Sequence, residues 1–310
     1  MIAATIDIGT NTTLALLADG DGSDLKVLKD QQTPNRLGES MREDNEISAH
    51  AIAMNVDLLG EIMRDYRRYG AEDFAVCGTS ALRRARNRDE FVSAVRDVFD
   101  LQVDILSGTD EAALTFAGAV SGKEIYPHEK IGVIDLGGGS TEVIEGQGLH
   151  AGQSCSLDMG AVYLTNEYFM TEEIPSVKTI ERLRLDVRER LIQLLNSLRD
   201  GVYPWLLVGG TAVTLSMLKQ GLRRYDADRI RGSQLTLKDI KPLCNSFIGK
   251  HPEELQALPG MPLSRGKYIL AGTLLMIELF DALQIEQAEV SERGLRHGLW
   301  LMKFAKRGIA

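Results

Sequence analysis

The sequence contains 310 residues, of which 44% are hydrophobic and 25% charged, as is typical of a soluble globular protein, and this length favours two domains over one. Its formal net charge of −9 argues against nonspecific binding to nucleic acid or to an anionic membrane. The three scattered cysteines form no Cys-x-x-Cys pair, and the N-terminus lacks the pattern of a signal peptide. We therefore expect a soluble, cytoplasmic protein without disulfides or a zinc framework.

The first third of the chain alternates short apolar runs with amphipathic stretches, which is typical of an α/β protein. A hairpin turn is predicted at residues 19–24. The predicted elements around it are strands at residues 2–8, 25–28 and 73–77 and helices at residues 49–69 and 88–99.

Two short motifs occur twice, in the same order and at nearly equal spacing. A strand followed by Asp-x-Gly and hydroxyl residues occurs at Asp7 (DIGTNTT) and again at Asp135 (DLGGGST). A strand ending before Gly-Thr occurs at Gly78 and again at Gly209. This repeat predicts two lobes of like topology, with a boundary near residue 122.

The C-terminal segment is predicted to form a helix that crosses back to the first lobe. Ser291 is the expected N-cap, and Leu295, Leu299 and Met302 are expected on one face. The predicted domains are residues 1–122 with 297–310, and residues 123–296.

The two Asp-x-Gly loops are candidates for binding phosphate. A strand delivers Asp7 to the carboxyl edge of the sheet, and Gly9 lets successive backbone N–H groups approach an anion. An ordinary hairpin turn is the alternative for the first loop alone, but the glycine-rich second copy favours two loops that face each other across a cleft. The candidate phosphate-binding residues are Gly9, Thr10, Asn11, Thr12, Arg83, Gly137, Gly138, Gly139, Ser140, Thr141, Gly209, Gly210 and Thr211.

Three acidic residues are candidates for chemistry. Asp7 and Asp135 would repel phosphate unless a cation bridged them, and their hard oxygens favour Mg²⁺ or Mn²⁺. Glu111 follows a strand predicted at residues 102–106, in the first turn of a helix for which Thr109 is a candidate cap. It is either an acid that complements the helix dipole or a general base at the cleft.

Basic residues form three groups. Arg83 lies in a helix predicted to begin after Gly78, where a guanidinium suits forked recognition of phosphate. A second group includes Arg231, and Arg265 forms a third with Lys267. Each of the last two, taken alone, is more often a solvated face.

Together these motifs resemble the Ppx/GppA phosphatase family. The motifs that carry the resemblance, in chain order, are DIGTNTT, RLGES, GTSALRRARN, ILSGTDEA, DLGGGSTEV, LDMGAVYLT, VGGT and VSERGLRHG. The resemblance implies an α/β fold of two RNase H-like lobes with a cleft between them, as in the actin, Hsp70 and sugar-kinase superfamily. It also implies hydrolysis of the terminal phosphate of inorganic polyphosphate or guanosine pentaphosphate, with Mg²⁺ or Mn²⁺, and allows a homodimer.

The resemblance also implies roles for individual residues. By this likeness Glu111 activates water, Asp135 helps to bind the metal, Glu142 lines the catalytic centre and Arg83 contacts the terminal phosphate. Longer family members carry further helical domains, so the chain is similar to the short two-domain forms. An ATP-dependent kinase of the same superfamily and a non-catalytic sensor of polyphosphate or alarmone are the alternatives.

Overall fold

The computed structural model describes residues 1–20, 25–41, 45–121, 129–194 and 204–305. Most of the predicted hairpin turn, the predicted boundary at residue 122 and residues 306–310 of the first predicted domain lie outside this range. Contacts within the chain divide it into two units. We call Met1–Glu124 with Arg293–Ala310 the first unit, and Ile125–Glu292 the second unit.

The elements before the second unit match the predicted strands and helices, with β3 longer than expected. They are β1 (Ile2–Ile8), β2 (Thr12–Gly20), β3 (Leu25–Pro34), α1 (Leu37–Ser40), α2 (Ala49–Arg68), β4 (Asp73–Gly78), α3 (Ser80–Arg84), α4 (Arg88–Phe99), β5 (Val103–Ile105) and α5 (Gly108–Val120).

The second unit contains the next elements, and the chain then returns to the first unit in a last helix. In order they are β6 (Lys130–Leu136), β7 (Thr141–Gln147), β8 (His150–Leu157), α6 (Ala161–Phe169), α7 (Val177–Leu194), β9 (Trp205–Val208), α8 (Gly210–Lys219), α9 (Ala227–Ile230), β10 (Gln234–Thr236), α10 (Leu237–Phe247), α11 (Pro252–Gln256), α12 (Ile269–Ala282), β11 (Gln287–Val290) and α13 (Leu295–Phe304).

The two units share one sheet topology, as the repeated motifs predict. The first sheet has the strand order β3-β2-β1-β4-β5, with antiparallel pairs among β1, β2 and β3 and parallel pairs from β1 to β4 and β4 to β5. The second follows the same path as β8-β7-β6-β9-β11, with β10 added antiparallel at its edge. Each Asp-x-Gly motif therefore joins the first two strands of its sheet.

Helices cover the two faces of the first sheet. On one face α2 and α4 contribute Tyr66 and Phe91 to a core against β1 and β4. On the other, Trp300 of α13 packs against β1 and β2, and Leu299 packs against Cys77. Burial on both sides explains why β1 is mostly apolar and is buried along all but its first residue, with Thr5 and Asp7 as its polar residues.

The C-terminal helix differs from its prediction in where it begins. Its N-cap is Gly294, not Ser291. Ser291 instead extends β11, since its N–H donates to the carbonyl of Leu207 at 2.9 Å. Leu299 is buried as predicted, whereas Met302 is 57% exposed. None of the helices in the described ranges is both long and apolar enough to span a membrane.

Candidate active site

The first Asp-x-Gly loop is a tight turn between β1 and β2. The N–H of Gly9 donates to the carbonyl of Thr12 at 3.1 Å, and a Cβ at Gly9 would lie 2.9 Å from that oxygen, so a side chain does not fit. Asp7, at the end of β1, is 7% exposed and pairs with Cys77 of β4. The turn thus presents Thr10, Asn11 and Thr12 beside a buried carboxylate.

Asn35, which lies outside the Asp-x-Gly motif in sequence, fixes this loop through hydrogen bonds. It was not identified from the sequence. Its Nδ2 donates to the carbonyl of Gly9 at 2.9 Å and to Oγ1 of Thr13 at 3.1 Å, while its Oδ1 accepts from the N–H of Leu37. The N–H of Gly38 also donates to the carbonyl of Thr10 at 2.6 Å. The only signal in the sequence was its position before the RLGES motif.

Arg83 and Glu111 form the central ion pair of the first unit. Arg83 Nη1 lies 2.6 Å from Glu111 Oε2 and also donates to the carbonyl of Leu106 at 3.0 Å. Glu111 is 7% exposed. Burial raises the pKa of its carboxyl group, and the contact with Arg83 opposes that rise. A carboxylate with a raised pKa beside a guanidinium group is an arrangement suited to a general base.

The contacts at the N-terminus of α5 bear on the two roles that the sequence allows for Glu111, an acid that complements the helix dipole or a general base. Ser107, not Thr109, is the N-cap, and its Oγ accepts from the N–H of Asp110 at 3.1 Å. Asp110 is exposed and its carboxylate accepts from Ser107 Oγ at 2.6 Å. The surface acid that complements the helix terminus is therefore Asp110, whereas Glu111 faces Arg83.

Cys77 shows that the sheet brings Asp7 and Glu111 to the same part of the first unit. Burial raises the pKa of the Cys77 thiol well above its usual value, and the negative charges of Asp7 and Glu111 raise it further. Both carboxylates therefore act on one buried side chain near the ends of β1 and β4. Burial and these charges favour the protonated form of the thiol.

The second Asp-x-Gly loop is held by α6. The N–H of Gly137 donates to the carbonyl of Ser140 at 3.0 Å. The carbonyl of Gly138 accepts from the N–H groups of Val162 and Tyr163, at 2.9 and 3.0 Å. The negative end of this carbonyl thus faces the N-terminus of α6, which reduces its repulsion of an anion at the loop.

Asp135 and Glu142 lie opposite each other on β6 and β7. Glu142 is 2% exposed, and its Oε1 accepts from Ser156 Oγ at 2.9 Å. Gly209, with φ of 97°, lies against Asp135, and a Cβ there would be 3.0 Å from Asp135 Oδ1. Glycine is required at this position because it supplies the left-handed φ and because a Cβ would also lie 2.4 Å from the carbonyl oxygen of Leu136.

Arg265 lies at the Gly-Gly-Thr loop that begins α8. A Cβ at Gly210 would be 2.8 Å from Arg265 Nε and would overlap the rest of the guanidinium group. Burial lowers the pKa of Arg265, which nonetheless stays a cation at neutral pH. Arg231, by contrast, is bound by Glu292 at 2.7 Å. The spacing of basic residues in the sequence did not distinguish these two arginines.

The candidate metal ligands Asp7 and Asp135 lie in different units. Over the described ranges, no three His, Cys, Asp or Glu side chains gather as a metal site would require. Mg²⁺ commonly takes only one or two protein carboxylates and completes its shell with phosphate oxygens and water. The hard carboxylate oxygens of Asp135, at the end of β6, fit the ligand preference of such an ion.

Comparison with known proteins agrees with this fold. The model of the Ppx/GppA phosphatase family matches residues 16–307. Exopolyphosphatase 2 of Mycobacterium tuberculosis is 32% identical over 312 residues, which cover 96% of this chain and 97% of that protein. The guanosine-5'-triphosphate,3'-diphosphate pyrophosphatase of Vibrio cholerae is 26% identical over 96% of this chain but only 58% of its own length.

Solved structures agree as well. The Ppx/GppA family member of Aquifex aeolicus has a TM-score of 0.83 and 26% identity, over 98% of this chain and 97% of that one. An exopolyphosphatase-like protein has a TM-score of 0.87 and 25% identity, over 97% of each chain. The repeated sheet and paired loops thus define a two-domain protein of the actin-like class. The chain belongs to the Ppx/GppA phosphatase family.

Proposed function

We propose that this protein is a phosphohydrolase that removes the terminal phosphate of inorganic polyphosphate or guanosine pentaphosphate by attack of water. The observation that carries the proposal is the ion pair of the first unit between the partly buried Arg83 and the buried Glu111. Family membership supports the reaction class, and the names of the M. tuberculosis and V. cholerae relatives support these two substrates.

Glu111 is the proposed general base. Its raised pKa lets it accept a proton from water, and its contact with Arg83 fixes one carboxylate oxygen so that the other can face the water. The proton moves from water to Glu111 as the water oxygen bonds to the terminal phosphorus, and the shortened phosphate chain leaves. Glu142, buried and held by Ser156, is the proposed second acid of the centre.

Arg83 is proposed to bind the terminal phosphate while it remains in contact with Glu111. A guanidinium carries five N–H donors, and both contacts described above use Nη1. The loops at Gly9–Thr12, Gly137–Thr141 and Gly209–Thr211 would add backbone N–H groups and hydroxyls, and Arg265 would add a second cation beside Gly210.

Mg²⁺ or Mn²⁺ is the proposed cofactor, with Asp135 and Asp7 as its protein ligands. When bound, the ion would neutralise charge on the phosphate oxygens. The protein's own contribution is to place carboxylates at the ends of β1 and β6 and to exclude side chains around them through Gly9 and Gly209.

The experiment is to measure phosphate released by the purified protein from short polyphosphate, long polyphosphate and guanosine pentaphosphate at equal concentrations with Mg²⁺. No acceptor is added, so release distinguishes a hydrolase from a kinase. A non-catalytic sensor would bind these compounds without releasing phosphate. Phosphate release that depends on Glu111 supports the proposal. A lack of phosphate release from all three substrates contradicts it.

A further inference from the structure

Two glycines bring the backbones of α5 and α13 into direct contact. A Cβ at Gly298 of α13 would lie 2.7 Å from the carbonyl carbon of Leu114 in α5 and would overlap its oxygen. A Cβ at Gly118 of α5 would lie 2.8 Å from the backbone N of Gly298 and would overlap the carbonyl of Gly294. Ordinary carbon contacts are about 3.5–4.0 Å, so neither position admits even alanine without displacement of a helix.

This contact lies one turn from Glu111. Leu114 is three residues after Glu111 in α5, on the buried side of the same helix. The atoms that Gly298 touches are backbone atoms, which cannot rotate away as the end of a side chain can. A displacement at Leu114 must therefore move the first turn of α5, and with it the carboxylate that contacts Arg83.

The C-terminal helix α13 is also fixed to β1, the strand that carries Asp7. Thr5 Oγ1 donates to the carbonyl of Arg296 at 2.7 Å, and Trp300 Nε1 donates to the carbonyl of Ala3 at 3.1 Å. Arg296 forms a two-pronged contact with Asp30 of β3, at 2.9 and 2.6 Å. The helix α13 thus contacts β1 and β3 along one side and α5 along another.

We propose that α13 sets the position of Glu111 relative to Asp7, and that Gly298 is the positioning residue for this arrangement. The inference rests on the proposed function only in the role given to Glu111. No other described helix combines backbone contact with α5 and hydrogen bonds to β1. Helix α13 therefore completes the geometry of residues more than a hundred positions earlier.

The test is Gly298→Ala, compared with Gly60→Ala. Gly60 also lies on the buried face of a helix in the first unit, but a Cβ there would meet the side chains of Phe99 and Arg64, at 3.1 and 3.3 Å. For Gly298→Ala we expect kcat to fall about 10²-fold with little change in KM, because an error of about 1 Å at a catalytic group has an effect of that size. Gly60→Ala should keep kcat within a few fold of the wild type.

Two further readouts separate positioning from loss of structure. The acid limb of the pH profile of Gly298→Ala should move to higher pH, because the Arg83 contact that lowers the pKa of Glu111 is weakened. A crystal structure of the variant should show Glu111 displaced relative to Asp7. If Gly298→Ala does not fold, Trp300→Phe removes the hydrogen bond to Ala3 together with the five-membered ring of the indole, and should lower kcat several-fold with unchanged KM.

The outcomes are distinct. Wild-type kcat and an unmoved Glu111 in a folded Gly298→Ala variant would overturn the inference. If Gly298→Ala does not fold, unchanged kcat in Trp300→Phe would overturn it. A wild-type protein that releases no phosphate would instead contradict the proposed function, and the displacement of Glu111 in the crystal structure would still decide the positioning role.

Discussion

Arg83 Nη1 lies 2.6 Å from Oε2 of Glu111, a residue that the chain reaches only after β5. The pair joins α3 and α5, which follow neighbouring parallel strands of the first sheet. Arg83 also donates to the carbonyl of Leu106, the first residue of the connection between β5 and α5. Its guanidinium therefore fixes both the helix that carries Glu111 and the carboxylate itself.

Glu111→Gln should lower kcat by about 10²–10⁴-fold, because the amide cannot accept the proton of water. Substrate binding should survive, which equilibrium binding of a short polyphosphate would measure. Asp110→Asn is the matched control, since Asp110 lies in the same turn but is exposed and bonded to Ser107. Near-wild-type turnover in Glu111→Gln would mean that the base lies elsewhere.

The rate should fall as the pH is lowered. The midpoint of this fall should lie above the ordinary pKa of a glutamate, which is about 4.3. Burial raises the pKa of Glu111, and only the deprotonated form can act as a base. A profile of kcat/KM against pH measures this limb. An acid limb at or below the ordinary glutamate pKa would contradict the assignment of Glu111.

Arg83→Ala should reduce turnover on every substrate, because Arg83 is proposed to meet the terminal phosphate common to all of them. It should also move the acid limb to higher pH, because Arg83 lowers the pKa of Glu111. Arg84→Ala is the control, since Arg84 is exposed and its Nε donates to the carbonyl of Ser80 in its own helix. Equal effects of the two substitutions on turnover would contradict the proposed role of Arg83 in binding the terminal phosphate.

EDTA should abolish turnover, and Mg²⁺ or Mn²⁺ should restore it. Asp135→Asn should raise the metal concentration needed for half-maximal activity, because the amide has lost the charge that attracts the ion. Titration of activity with Mg²⁺ measures the change. Full activity of the wild type in chelator would show that the metal assignment is wrong.

The protein should act on long polyphosphate in a distributive manner. The net charge of −9 does not attract a polyanion, so binding depends on a few local groups such as Arg83 and Arg265. A time course on long chains should show a gradually shortening ladder, with only modest dependence on salt. Disappearance of full-length chains without intermediates would show processive action.

Several features of this protein were determined by its sequence alone. The repeat at Asp7 and Asp135 predicted two units of the same topology, because each Asp-x-Gly motif is followed at nearly equal spacing by a second strand that ends at a glycine. Helical periodicity placed α2 and α4 to within a residue or two, and the motif order indicated the Ppx/GppA family.

The tertiary structure decided what local sequence could not. Arg83 contacts Glu111, whereas Asp110 accepts a hydrogen bond from the N-cap Ser107 and complements the helix terminus. Arg265 lies against Gly210, whereas Arg231 is bound by Glu292. The N-cap of α13 is Gly294 and not the predicted Ser291, because the N–H of Ser291 donates to Leu207 of β9, a residue distant in sequence. Ion pairing, burial and close helix contact depend on residues that are distant along the chain, and no local pattern encodes those distances.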